Sequence, residues 1–248
     1  MARKKAALVL GASGSVGQAL VKVLATSGWF EPIVTLGRKS VAENIAATRE
    51  AGCSLREVIV SPMDAGNVER AGKDAAMALP EEVVGFSVLG VGAGTAKLTI
   101  EEHRAVDVVL NEAFARGLKE SGKVKHLAFM TAAGANPNAK TTGSGAAGAG
   151  RYNRVKGEAE EAVKKSGPEV ISVIRPAMII GSQHTPWILE KTLPLFTFLT
   201  PGRFKSIRAE QIAQAMAVLG KEPPQSSQVY HYPEMMALIQ GGSFPSGR

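Results

Sequence analysis

An apolar run, Ala6-Ala7-Leu8-Val9-Leu10, leads directly into glycines at 11, 14 and 17, and helical periodicity begins near Ser15. The order is a buried parallel strand, a tight turn and a helix. That combination suits a dinucleotide pyrophosphate: Gly11 makes the turn, Gly14 lets a phosphate approach the backbone, and Gly17 lets the helix pack closely on the strand. The amides that open the helix, around Ser13, Ser15 and Val16, are placed to donate to phosphate oxygens. The spacing is GxxGxxG rather than GxGxxG, so the strand before it and the helix after it carry the assignment.

The second strand bears on the choice of dinucleotide. Ile33-Val34-Thr35-Leu36 ends at Gly37-Arg38-Lys39, where an NAD-binding chain would place a carboxylate for the ribose diol. Glu31 has the expected offset from Gly11 but precedes this strand and reads as a solvated loop charge. Arg38 and Lys39 instead favour the 2′-phosphate of NADP, because a guanidinium can grip a phosphate with two parallel hydrogen bonds. Asp64, after the third strand, is placed either to accept from the adenine amino group or to cap the helix that starts near Asn67.

Short apolar runs near 6–10, 33–36, 55–60, 83–89, 126–131 and 169–175 alternate with helical patterns at 16–27, 40–51, 67–79, 101–121 and 151–166. This alternation predicts an α/β fold with a doubly wound parallel sheet, the Rossmann NAD(P)-binding fold. Ligands in such sheets sit beyond the carboxyl ends of the strands. The turn at Gly90-Val91-Gly92 and the turn at Thr131-Ala132-Ala133-Gly134 occupy those ends, and Thr142–Gly150 forms a glycine-rich run expected to be mobile when empty. Past residue 176 the alternation lapses. Residues 177–248 are expected to supply most of a small substrate-side lobe, with Trp187, Phe196 and Phe198 read as core or interface and His184 as surface, within one 248-residue domain.

Charge and cysteine content narrow the function classes. The formal charge of +7 is spread along the chain, and aromatics are only 5%, without the interleaving of basic and aromatic residues that marks a specific nucleic-acid surface. One cysteine, Cys53, excludes an intrachain disulfide, and the 4 histidines show no metal-ligand spacing. Met1–Lys5 is basic, but the apolar run after it is short and carries the glycine loop, so it reads as a strand rather than an export signal. No run reaches membrane-spanning length. The expectation is a cytoplasmic protein with no membrane or metal site.

Tyr152 and Lys156 lie four apart on a helical pattern and therefore share a face. A phenol is a weak acid, with a pKa of about 10, and a neighbouring ammonium stabilises its phenolate. The pair suits general acid/base work, with Thr131 placed to bind a substrate carbonyl.

Together these motifs resemble the short-chain dehydrogenase/reductase superfamily, in particular its extended and atypical members. Gly11 to Gly17 is similar to their nucleotide loop, Tyr152 to Lys156 to their YxxxK pair, and Ile174-Arg175-Pro176 with Gly181 to their RPxxxxG segment. Leu8–Gly14, Val34–Arg38, Lys125–Leu127 and Val155–Glu158 look most like the HIV Tat-interactive oxidoreductase-like branch. The resemblance implies NADP(H) bound through Ser13, Arg38 and Lys39, with Gly90 and Pro176 along the cofactor and Tyr152 and Lys156 at the nicotinamide end. It departs from the family at Thr131, where serine is usual, and at Asp107, in a region where many members carry a structural asparagine. Three functions compete: an NADPH-dependent oxidoreductase acting on a small carbonyl or alcohol, an NADPH-sensing scaffold with a protein partner, and a sugar-nucleotide epimerase or dehydratase. Dimerisation is an expectation at family level.

Overall fold

A computed structural model describes residues 4–41, 46–79, 82–141, 149–180, 202–242 and 244. The strands β1 (Lys5–Leu10), β2 (Phe30–Gly37), β3 (Leu55–Ile59), β4 (Val83–Ser87), β5 (Val124–Met130) and β6 (Val170–Ile174) follow the expected order. Together with β9 (Gln228–Tyr230) all pair in parallel, in the spatial order β3-β2-β1-β4-β5-β6-β9. The doubly wound sheet is thus present, with the chain reversing direction across the sheet between β1 and β4.

Side chains of β1 divide by parity. Ala7 and Val9 enter the core under α1 (Ser15–Thr26), while Ala6, Leu8 and Leu10 enter the opposite core with α3 (Ala65–Met77). Both faces are covered, which is why β1 reads as a continuous apolar run and not an alternating one. Each fully buried leucine here contributes roughly 1.5–3 kcal/mol. On the second face α5 (Asn111–Glu120) packs between α3 and α6 (Ala149–Ser166), bringing Phe114, Leu118 and Val163 against Leu127 and Phe129.

Several boundaries differ from the sequence reading. β2 begins at Phe30, so Glu31 lies inside the strand, at the end away from the glycine loop, and pairs with Lys4 at 2.6 Å. The helix expected over 101–121 is three pieces: α4 (Ile100–Arg104), a π-helical stretch (Ala105–Leu110) and α5. Within 40–51, α2 (Ala46–Glu50) is the described helix.

The stretch assigned to a substrate-side lobe also divides. β7 (Ile179–Ile180) and β8 (Ile207–Arg208) form a separate two-stranded sheet. By contrast, α7 (Ala209–Lys221) packs on α1 and buries Ile212, Ala213 and Met216, while β9 (Gln228–Tyr230) extends the main sheet beyond β6 and precedes α8 (Tyr232–Gly241). Residues 142–148 of the glycine-rich run, and Gly181, His184, Trp187, Phe196 and Phe198, lie outside the described residues.

Candidate functional site

The glycine loop is tightly built. Gly11 has φ +91°, a conformation that favours glycine, and a Cβ there would stand 2.6 Å from the Leu89 nitrogen. A Cβ on Gly17 would collide with the Gly11 carbonyl oxygen. Both absent side chains are what let α1 start directly against β1. Gly14 is the extended N-cap of α1, where no side chain caps the helix and no carboxylate stands in the first turn. The opening amides, with the exposed Ser13 and half-buried Ser15 beside them and Val16 turned into the core, are left to an anionic ligand.

Ser13 and Lys39 share a small cleft with Ala12, Thr35, Leu36, Gly37 and Val41 at the end of β2. Arg38 and Lys39 are exposed and make no ion pair among the described residues, so their charges are open to a ligand. Glu57 of β3 fixes the turn that follows them, accepting from Ser40 Oγ at 2.8 Å and the Val41 amide at 2.5 Å. The sequence reading did not find Glu57, whose partners come from a different strand. A cradle closed to Cβ atoms and an uncapped helix start fit the pyrophosphate of a dinucleotide.

Asp64 behaves as a helix cap. Its Oδ1 accepts from the Asn67 amide at 2.9 Å and its Oδ2 from the Asn67 side chain at 2.9 Å, which realises the second of its two anticipated roles. Pro176 is buried, and its carbonyl accepts from the Ala133 amide at 2.7 Å, tying the loop after β5 to the end of β6.

Beyond β4, four polar residues converge. Tyr152 and Lys156 share a face of α6, with the Lys156 ammonium 5.5 Å from the centroid of the Tyr152 ring. Lys156 is 5% exposed, and its Nζ lies 3.5 Å from Asp107 Oδ1. The His103 ring stacks on Tyr152, with centroids 5.8 Å apart and planes 21° apart. His103 Nε2 is 2.5 Å from Asp107 Oδ2, a close contact without hydrogen-bond alignment. Gly90 closes the group: a Cβ on it would stand 2.7 Å from Asp107 Oδ1 and 2.9 Å from Lys156 Nζ.

Burial works to raise the Asp107 carboxyl, but adjacent His103, the Lys156 charge and the Val91 amide together hold it below the usual carboxylate range. Asp107 sits in the π-helical stretch, a distortion often found at functional sites. Asn111 stabilises that stretch, donating to the Asp107 carbonyl at 2.8 Å and accepting from Ser87 Oγ at 2.5 Å. His103 and Asn111 were not singled out by sequence, and Asp107 only as a departure from a structural asparagine; an i, i+4 His-Asp pair on a helix reads as ordinary surface.

Thr131 departs from its expected role. Its side chain is 3% exposed and Oγ1 donates to Glu160 Oε1 at 2.8 Å, so its single proton is directed at a carboxylate rather than at a substrate carbonyl. Arg175 completes that cluster with two bonds to Glu160, of 2.8 and 2.6 Å. Ala132 and Ala133 offer no replacement hydroxyl.

The sequence profile of the NAD(P)H-binding family matches residues 11–223. Among curated proteins, the chain is 27% identical to Protein FMP52, mitochondrial, of Eremothecium gossypii, over 72% of this chain and 68% of that one. It is 25% identical to the protein of the same name from Candida albicans, over 71% and 67%. The fold matches a short-chain dehydrogenase/reductase from Serratia marcescens with TM-score 0.66 and 16% identity, covering 93% of this chain and 98% of that one. It likewise matches a short chain dehydrogenase from Burkholderia cenocepacia J2315 in complex with NADP, with TM-score 0.66, 16% identity, and 92% and 96% coverage. The names of the two curated relatives overturn the cytoplasmic expectation. That expectation rested on a single cysteine and on reading no export signal or spanning segment, which bear on disulfides, secretion and bilayers and do not distinguish one internal compartment from another. Among the described residues no helix is long and apolar enough to cross a membrane.

Proposed function

The chain belongs to the NAD(P)H-binding family, and from that premise we propose that it is an NADP(H)-dependent oxidoreductase of the short-chain dehydrogenase/reductase type acting on a small carbonyl or alcohol. The observation that carries this reading is the buried Lys156 ammonium 5.5 Å from the Tyr152 ring centroid, at the carboxyl end of the sheet and beside Gly90. When bound, the reduced nicotinamide supplies the hydride. Tyr152 gives its hydroxyl proton to the oxygen that becomes an alcohol, and Lys156 stabilises the phenolate left behind. Gly11, Gly14, Ser15, Val16 and Gly17 hold the pyrophosphate, and Ser13, Arg38 and Lys39 hold the 2′-phosphate. The finer likeness to the Tat-interactive branch rests on the residues around Gly11, Arg38, His126 and Lys156.

A second reading, a cofactor-binding regulator with little turnover, draws on one observation: the Thr131 hydroxyl is already committed to Glu160. The two readings part in one assay. NADPH consumption is followed with a panel of aldehydes and ketones for the unsubstituted chain and for Tyr152→Phe. The oxidoreductase reading predicts turnover that the substitution removes while NADPH affinity is kept; turnover equal in the two proteins contradicts it.

A further inference from the structure

The Tyr152–Lys156 pair does not stand alone. The Asp107 carboxylate, 1% exposed, faces Lys156 Nζ through one oxygen and His103 Nε2 through the other, and the first oxygen also accepts from the Val91 amide at 3.2 Å. Such a charge survives burial only because its neighbours compensate it. The charged and titratable groups that meet here are His103 and Asp107 from the helix after β4, and Tyr152 and Lys156 from α6; the loop after β4 contributes Gly90 and the Val91 amide. A phenolate formed at Tyr152 would therefore experience an ammonium together with that ammonium's counter-charge.

We propose that Asp107 is a positioning residue that, as the counter-charge of the Lys156 ammonium, sets how readily Tyr152 gives up and regains its proton. This rests on the reading of Tyr152 as the proton-transferring group. His103 locks the arrangement: its ring covers Tyr152 and its Nε2 abuts the far oxygen of Asp107, so the carboxylate cannot turn away from Lys156 without breaking that contact. The π-helical stretch and the Asn111 bond to the Asp107 carbonyl fix the backbone from which the carboxylate projects.

The test is a pH titration of tyrosinate absorbance on the full chain, without cofactor or substrate. Each protein is compared with its own Tyr152→Phe counterpart, so that Tyr230 and Tyr232 cancel. Asp107→Asn keeps the size and an oxygen acceptor for the Val91 amide but removes the charge. It is expected to lower the Tyr152 midpoint by on the order of one pH unit. Asp107→Glu is expected to restore much of the shift, and Lys156→Met to raise the midpoint. An unchanged or raised midpoint in a folded Asp107→Asn protein overturns the proposal. If that variant does not fold, NMR titration of labelled aspartate carboxylates in the unsubstituted chain and in Lys156→Met decides. Asp107 must titrate at higher pH once the ammonium is gone, and an unmoved titration overturns the coupling. Neither readout needs turnover, so failure here is separable from failure of the oxidoreductase reading.

Discussion

The Thr131 hydroxyl donates to Glu160 Oε1 at 2.8 Å, which makes it part of a buried cluster closed by Arg175 and not a free group facing substrate. Thr131→Val should remove one hydrogen bond and cost about 1–2 kcal/mol of stability in a urea unfolding curve, because Glu160 loses a donor. Thr131→Ser should lie close to the unsubstituted chain. If the hydroxyl served substrate, Thr131→Val would instead lower kcat as severely as Tyr152→Phe.

Arg175 carries more of that cluster. Its guanidinium makes two of the three hydrogen bonds to a carboxylate that is 3% exposed. Arg175→Met strands that charge, and the expected loss is on the order of 3 kcal/mol, below the upper end for such breaks because Lys164 also approaches Glu160, at 3.7 Å. The double variant Arg175→Met with Glu160→Gln should recover part of the loss, measured by the same unfolding curve. No recovery would mean that Arg175 acts through packing alone.

Asp64 separates capping from cofactor binding. Both of its carboxylate oxygens are taken by Asn67, so Asp64→Ala is expected to destabilise the chain by about 1 kcal/mol and leave NADPH affinity unchanged. A weaker NADPH affinity with unaltered stability would return Asp64 to the adenine contact.

His126 gives the fold a pH dependence. It is 3% exposed, its Nε2 lies 2.9 Å from Ser172 Oγ, and burial, with help from the Lys5 charge, pushes its pKa down to about 4. The folded chain keeps this imidazole neutral where the unfolded chain protonates it. Stability from this group is therefore whole above a pH of about 6.5, falls as pH drops toward 4, and levels off below, a loss on the order of 3 kcal/mol. Denaturant midpoints at stepped pH should show the decline in the unsubstituted chain and a shallower one in His126→Gln. Parallel declines would place the dependence in other groups.

Some of this was legible in the sequence for a definite reason. β1 is buried on both faces, so its run is unbroken, and Gly11 and Gly17 are required by backbone contacts that no side chain permits. Tyr152 and Lys156 share one helix, where spacing alone fixes their common face. β9 was missed because it is three residues, Gln228-Val229-Tyr230, paired on one edge only, with no apolar run to announce it. The π-helical stretch left no mark on a periodicity that looks continuous from 101 to 121. The Thr131–Glu160–Arg175 cluster draws on a strand end, a helix and a second strand end far apart in the chain. Pairing of that kind is set by sheet order, and spacing does not show it.

In the proposed function the loop after β1 and the cations after β2 together hold NADP(H). The decisive measurement is calorimetric titration of NADPH and NADH at one fixed moderate salt concentration, with the unsubstituted chain and with Arg38→Ala/Lys39→Ala. Tight NADPH and weak NADH are expected for the unsubstituted chain, and in the double variant a loss of roughly 1–3 kcal/mol for NADPH with little change for NADH. Equal losses for the two cofactors, or no binding of either, would contradict that assignment.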